Sequence, residues 1–254
     1  MSANQLGQLY SVGIGTGDSE LLTLKAVRLI QEVDVLAIPE KTKGQADSFA
    51  WEIVTGAIQE EQISAERCFL HFPMTRDASK NVPAWRTAAE TILDRLKQGK
   101  SVAFVTEGDP SVFSTWAYIQ EELAEIAPQV VPVIVPGVTS ITAVPAATKI
   151  PLADGKERFC VVPATYGIDC LENLVKEFDT IMLIKAGRMI EQLSEKLKQL
   201  GLEDTATYVS HASTDREEIY TKLEDVPEEH RYFSMVQISI RSRKGVLRGT
   251  SNAA

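Results

Sequence analysis

The chain has 254 residues, 44% of them hydrophobic, and carries a formal net charge of −9. That length accommodates one large domain or two ordinary ones, and the apolar fraction is enough to build real cores. The acidic balance disfavours duplex nucleic acid, whose phosphates demand a basic face; the longest apolar runs, such as Val102–Val105 and Val130–Val135, are too short to span a bilayer. No basic segment followed by an apolar one opens the sequence, so the expected location is the cytoplasm, without membrane attachment. Three cysteines, Cys68, Cys160 and Cys170, stand in or near apolar segments with no CxxC spacing and read as buried reduced thiols.

In chain order, the pattern predicts strands at 8–14, 34–38, 67–72, 101–106 and 131–135, alternating with helical patterns. The helical patterns cover 21–30, 85–96 and 112–126. Alternation of this kind describes βα units around a mostly parallel sheet. A polar bridge at 153–157 follows Pro151 and reads as a linker, dividing the chain into an N-terminal α/β domain at 1–150 and a smaller C-terminal α/β domain at 151–254. The second part has predicted strands at 159–162, 180–184, 206–210, 218–222 and 232–240, and a helix at 189–200 stopped by Gly201. Its last two strands are expected to pair antiparallel in a mixed sheet.

Three turns attract attention. The first, Val12-Gly-Ile-Gly-Thr-Gly-Asp18, is glycine-rich but places Asp18 where a dinucleotide fingerprint needs its third glycine. A carboxylate at a helix mouth repels pyrophosphate, so nicotinamide-dependent dehydrogenase chemistry is disfavoured. The second, Thr106-Glu-Gly-Asp-Pro-Ser-Val-Phe113, follows an apolar strand, where α/β folds place ligands. Gly108 suits a turn or a close ligand approach, Asp109 an N-cap and Pro110 a first helical position; a well-capped turn without a ligand uses the same residues. The third, Val135-Pro-Gly-Val-Thr-Ser140, opens a helix with two hydroxyls, one of them in excess of what capping requires. Together the second and third turns are expected to wall one crevice.

In this order and spacing, the segments Val12–Ala26, Thr106–Trp116 and Val135–Ala143 resemble the tetrapyrrole methylases, which use S-adenosylmethionine. Within that family, the segments 111–116 and 150–165 look most like the precorrin-2 or cobalt-factor-II C20-methyltransferase branch of cobalamin synthesis. The resemblance implies two α/β domains, a homodimer, and S-adenosylmethionine in a cleft between the domains. It makes the glycine loop with Thr16 a lining of the site; Thr16 stands where relatives usually carry proline. Carried over by position, the cofactor contacts are Glu107, Gly108, Asp109, Val112, Thr139 and Ser140, with Lys185 and Ala212 from the smaller domain. Relatives tend to place methionine near Lys185, and some have an aspartate at the end of the second strand, where this chain reads Ile38-Pro-Glu-Lys41.

Methyl transfer from a sulfonium to an electron-rich carbon needs no enzyme nucleophile, so the protein's task is orientation, a contribution of about 7–11 kcal/mol at most. The methylated carbon then sheds a proton, for which Glu40 and His211 are the candidate acceptors. Lys41, Lys43, Arg76, Lys80 and Arg86 follow the second and third strands and are candidates for binding the acidic substrate, with ordinary surface charge as the alternative. No His/Cys/Asp grouping has metal-ligand spacing, so any metal is expected inside the macrocycle. Competing readings are methylation of uroporphyrinogen III or a later corrin intermediate, and a non-catalytic tetrapyrrole carrier.

Overall fold

The computed structural model describes residues 6–73, 75, 77–228 and 232–240. It divides into two compact units, 1–139 and 140–254.

The first unit begins with strand β1 (Leu9–Gly13), a 3₁₀ turn (Ser19–Leu21) and helix α1 (Leu24–Glu32). β2 (Val35–Glu40), α2 (Phe49–Ala57), β3 (Glu66–His71) and α3 (Ala78–Lys97) follow. β4 (Val102–Thr106), α4 (Trp116–Ile126) and β5 (Val133–Val135) complete it. All five strands are parallel, in the order β3-β2-β4-β1-β5. Alternation along each strand feeds two cores, as a sheet covered on both faces requires. Val12, Leu36, Ile38, Ala103 and Val105 pack with Ala26, Leu29 and Ile30 of α1 and Ala50, Ile53 and Val54 of α2. Leu9, Val35, Ala37, Val102 and Phe104 pack on the opposite face with α3 and α4. Since the strands are parallel, the loops after β1, β2, β4 and β5 leave from one edge, the carboxyl edge.

The second unit contains α5 (Ser140–Thr148), β6 (Phe159–Pro163), α6 (Ala164–Glu177), β7 (Thr180–Ile184) and α7 (Ile190–Leu200). β8 (Ala206–Ser210), β9 (Glu218–Tyr220) and β10 (Ser234–Ser239) finish it. The sheet is mixed, ordered β6-β7-β10-β8-β9. β9 and β10, expected to pair with each other, both pair antiparallel to β8 instead, because β10 is inserted between β7 and β8. α6 and α7 cover one face through Leu171, Leu193 and Leu197. The other face, Met182, Ile184, Val209 and Met235, takes Val144 of α5.

That last contact explains why the units divide before α5 rather than at the polar bridge near residue 150. Buried Gln237 of β10 donates from Nε2 to the Ile150 carbonyl at 2.9 Å, and its Oε1 accepts from Thr148 Oγ1 at 3.0 Å. The bridge itself is a turn of the second unit, with the Asp154 amide donating to Glu157. The three cysteines are half-buried rather than fully buried and form no disulfide. Burial, with Cys170 nearby, pushes the Cys160 thiol up to about 11.

Candidate active site

At the carboxyl edge of the first sheet three glycines close on one another. Gly13 ends β1, Gly108 follows β4 and Gly137 follows β5. A Cβ on Gly13 would lie 2.6 Å from the Gly108 carbonyl oxygen and 2.7 Å from the Gly137 amide nitrogen, so no side chain fits there. β1 lies between β4 and β5, and only glycine at its end lets the two flanking turns meet over it. Gly15 and Gly108 add an antiparallel bridge, with the Gly108 amide donating to the Gly15 carbonyl at 2.6 Å. The loop bearing Thr16 is thereby joined to the turn bearing Glu107, Gly108, Asp109 and Val112. Gly108 itself has φ +68°, and nothing lies within 4 Å of where its Cβ would point. One face of this junction is therefore open while the other is packed shut.

Asp109 braces the junction. Its carboxylate accepts from the Ser111 amide at 2.8 Å, from the Ser111 hydroxyl, and from the Gly137 amide at 3.0 Å. Burial alone would raise this carboxyl, but the hydrogen bonds from Ser111 and Gly137 outweigh it and hold the group below the usual carboxylate value. The expected role of Asp109 as a helix cap is corrected: α4 starts only at Trp116, after exposed Phe113 adopts φ +51°. Asp109 instead makes a turn with Ser111 and ties the β4 turn to the β5 turn. Val112 closes that turn by donating its amide to the Asp109 carbonyl at 3.1 Å. Burial pushes the Glu107 carboxyl up, opposed by hydrogen bonds from its own amide and that of Ala50 in the first turn of α2. Thr139 ends the first unit and Ser140 opens α5 in the second.

Glu40, a candidate proton acceptor, is the last residue of β2. It is 5% exposed, and its two oxygens accept from the Gly44 amide at 2.8 Å and the Ala46 amide at 3.1 Å. Lys41 and Lys43 stand exposed on that same loop. Arg86, within the helical pattern expected at 85–96, and Lys80, ahead of it, both lie on α3, which begins at Ala78 under an Asp77 cap. Arg86 is engaged by Glu122 at 2.8 Å and Glu125 at 2.9 Å on α4, joining the two helices. Arg76 lies outside the described residues.

In the second unit, Lys185 follows β7 and His211 follows β8, and both adopt positive φ, +56° and +48°. Left-handed backbone at non-glycine residues costs about 1–3 kcal/mol each and persists where surrounding structure enforces it. Here the entry to β10 does so. The Ala186 and Gly187 amides donate to the carbonyl and hydroxyl of Ser234, and the His211 amide donates to the Phe233 carbonyl at 2.8 Å. Desolvation by neighbouring protein atoms pulls the ammonium of Lys185, an exposed residue, below the usual lysine value. Ala212 packs beside Val209. Sequence reasoning did not single out Gly137, Ser111 or Ser234; the Pro-Gly pair after β5 was a usable signal for the first, and none existed for Ser234.

Comparison with known proteins places this geometry. Residues 8–227 match the family of tetrapyrrole (corrin/porphyrin) methylases. The chain is 35% identical, over 86% of its length and 89% of the relative's, to a "Probable cobalt-precorrin-2 C(20)-methyltransferase" of Methanocaldococcus jannaschii. It is 31% identical, over 92% and 96%, to a cobalt-precorrin-2 C(20)-methyltransferase of Salmonella typhimurium. The X-ray structure of a cobalt precorrin-4 methyltransferase shares the fold, with TM-score 0.67 and 23% identity over 91% of this chain and 94% of that one. With three glycine-bearing strand ends joined at one sheet edge and the family pattern running through both units, the chain belongs to the tetrapyrrole (corrin/porphyrin) methylases.

Proposed function

We propose that the protein methylates C20 of precorrin-2 in its cobalt-loaded form, using S-adenosylmethionine, as a step of cobalamin biosynthesis. The observation that carries this reading is identity of 35% and 31%, over most of both chains, to two proteins named for that reaction on the cobalt-loaded substrate.

The residues present fit such a donor. The Cβ position of Gly108 opens onto unfilled space, which permits close approach to backbone, whereas Gly13 is packed shut. Thr16, Glu107, Gly108, Val112 and Thr139 of the first unit would contact the donor chiefly through main-chain groups; Ser140, Lys185 and Ala212 of the second are proposed as contacts from the family resemblance alone. Asp109 serves by bracing the turn. When bound, S-adenosylmethionine supplies an electrophilic methyl group on its sulfonium. The protein's part is to fix the reacting carbon in line with that methyl and to exclude water, which orientation alone makes worth up to about 7–11 kcal/mol. For the proton released afterwards, His211 is the candidate acceptor, because both oxygens of Glu40 already accept backbone amides. No helix among the described residues is long and apolar enough to cross a membrane; a cytoplasmic homodimer that does not engage nucleic acid completes the proposal.

The test is anaerobic incubation with methyl-labelled S-adenosylmethionine and cobalt-loaded precorrin-2, metal-free precorrin-2 or uroporphyrinogen III. NMR should place the label on C20, with the cobalt-loaded substrate turned over faster. Label at another carbon, or turnover only of uroporphyrinogen III, would move the protein to another branch. Absence of transfer to any tetrapyrrole would leave a carrier.

A further inference from the structure

The loop at 41–47 is unusually constrained for one so short and polar. Gly44 has φ +75° and Ala46 has φ +52°, the latter a conformation that a side chain disfavours. Residues in this region hold only when their surroundings over-determine them. Three hydrogen bonds close the loop on itself: the Lys41 amide donates to the Asp47 carbonyl at 3.0 Å, the Gln45 amide to the Thr42 carbonyl at 3.1 Å, and the Thr42 hydroxyl to the Asp47 carboxylate at 3.5 Å. Glu40 supplies the rest, its buried carboxylate accepting the Gly44 and Ala46 amides from beneath. Hydrogen bonds to an ionised acceptor are about twice as strong as neutral ones.

The segment is anchored at its far end too. Ser48 caps α2 by accepting the Trp51 amide, and the Ala50 amide donates to Glu107 at the end of β4. β2 and β4 are hydrogen-bonded neighbours. Two carboxyl groups on adjacent strand ends therefore hold one loop at the carboxyl edge, the edge that carries the glycine junction. The cations on this loop are Lys41 and Lys43, both exposed.

We infer that Glu40 is a positioning residue: by gripping the Gly44 and Ala46 amides it presents Lys41 and Lys43 to the acidic side arms of the tetrapyrrole. This rests on the proposed substrate class and assigns that class a binding element. It also gives a chain of net charge −9 a local source of positive charge for a polycarboxylate, since a few nearby cations can dominate the local field whatever the total. Fixing the loop beforehand removes an ordering cost that flexible lysines would otherwise impose on binding.

A mutant cycle tests the inference. Glu40→Ala should raise KM for the tetrapyrrole about threefold to tenfold, with kcat, its pH profile and the affinity for S-adenosylhomocysteine unchanged. Glu40→Gln keeps one acceptor oxygen and should fall between, which also covers failure of the alanine variant to fold. In a Lys41→Ala/Lys43→Ala background, Glu40→Ala should raise KM no further, because the effect passes through the lysines. An unchanged KM in Glu40→Ala, or additive effects in the combined variant, would overturn the inference. So would a fall in kcat of both Glu40 variants with an altered pH profile, which would make Glu40 a proton acceptor. If the wild type binds tetrapyrrole without methylating it, the proposed activity fails, and the same cycle is read from quenching of intrinsic fluorescence; no binding at all sinks both.

Discussion

Asp109 shows how a motif residue can be noticed correctly and cast wrongly. Its place after a strand and before a helical pattern suggests a cap, although a turn closed by the carboxylate on the amide two residues on is an equally local reading. The left-handed Phe113 delays α4 and leaves the carboxylate to hold Ser111 and Gly137 instead. That long-range tie to Gly137 is invisible in a linear sequence. Because hydrogen bonding lowers its pKa in the folded state, the unfolded chain binds more protons than the folded chain between the folded and unfolded values. The stabilisation is therefore complete above the ordinary aspartate value of about 3.9 and is lost as pH falls through the lower folded value. Asp109→Asn should lower stability at pH 7 by about 1–3 kcal/mol and by less at pH 3. Urea unfolding at the two pH values measures this, and equal losses at both would remove the electrostatic part of the explanation. The burial of Glu40 was illegible for a related reason, since its partners Gly44 and Ala46 are local but its register neighbour His71 lies on β3.

At the scale of elements, strands were the legible part. Parallel strands buried on both faces read as short apolar runs, and those of both units stand within a few residues of expectation. Helices were less legible. In α2, Phe49, Ala50, Trp51, Ile53 and Val54 are nearly continuous and hide the helical period, although Ser48 marked its start. α6 leaves directly from Pro163 with no side-chain cap and carries Gly167 against Leu183, so its boundary signals are weak. Strand order was not legible at all, because nothing local puts β1 between β4 and β5 or β10 between β7 and β8. The attachment of α5 to the second unit combines apolar packing of Val144 with one buried amide, that of Gln237. Gln237→Leu should leave the Ile150 carbonyl and the Thr148 hydroxyl without that partner and cost about 1–3 kcal/mol. Hydrogen exchange should quicken first in α5 and β10; unchanged protection there would show that apolar packing of Val144 suffices.

For the whole molecule, composition excluded more than it identified, and the ordered motifs identified more than any one of them could. A lone glycine-rich turn is ambiguous between a dinucleotide cradle and a packing device. The structure makes Gly13 the packing device and leaves Gly108 as the open position, a division that no single-sequence argument supplies. The account depends on the donor lying against the main chain at Gly108, and titration of Gly108→Ala with S-adenosylhomocysteine tests it most directly. The added methyl should weaken binding about tenfold or more, roughly 1.4 kcal/mol, while unfolding shifts only by the strain of alanine at φ +68°, about 1–2 kcal/mol. Wild-type affinity in a folded Gly108→Ala protein would contradict the account, because the donor would then have to bind elsewhere.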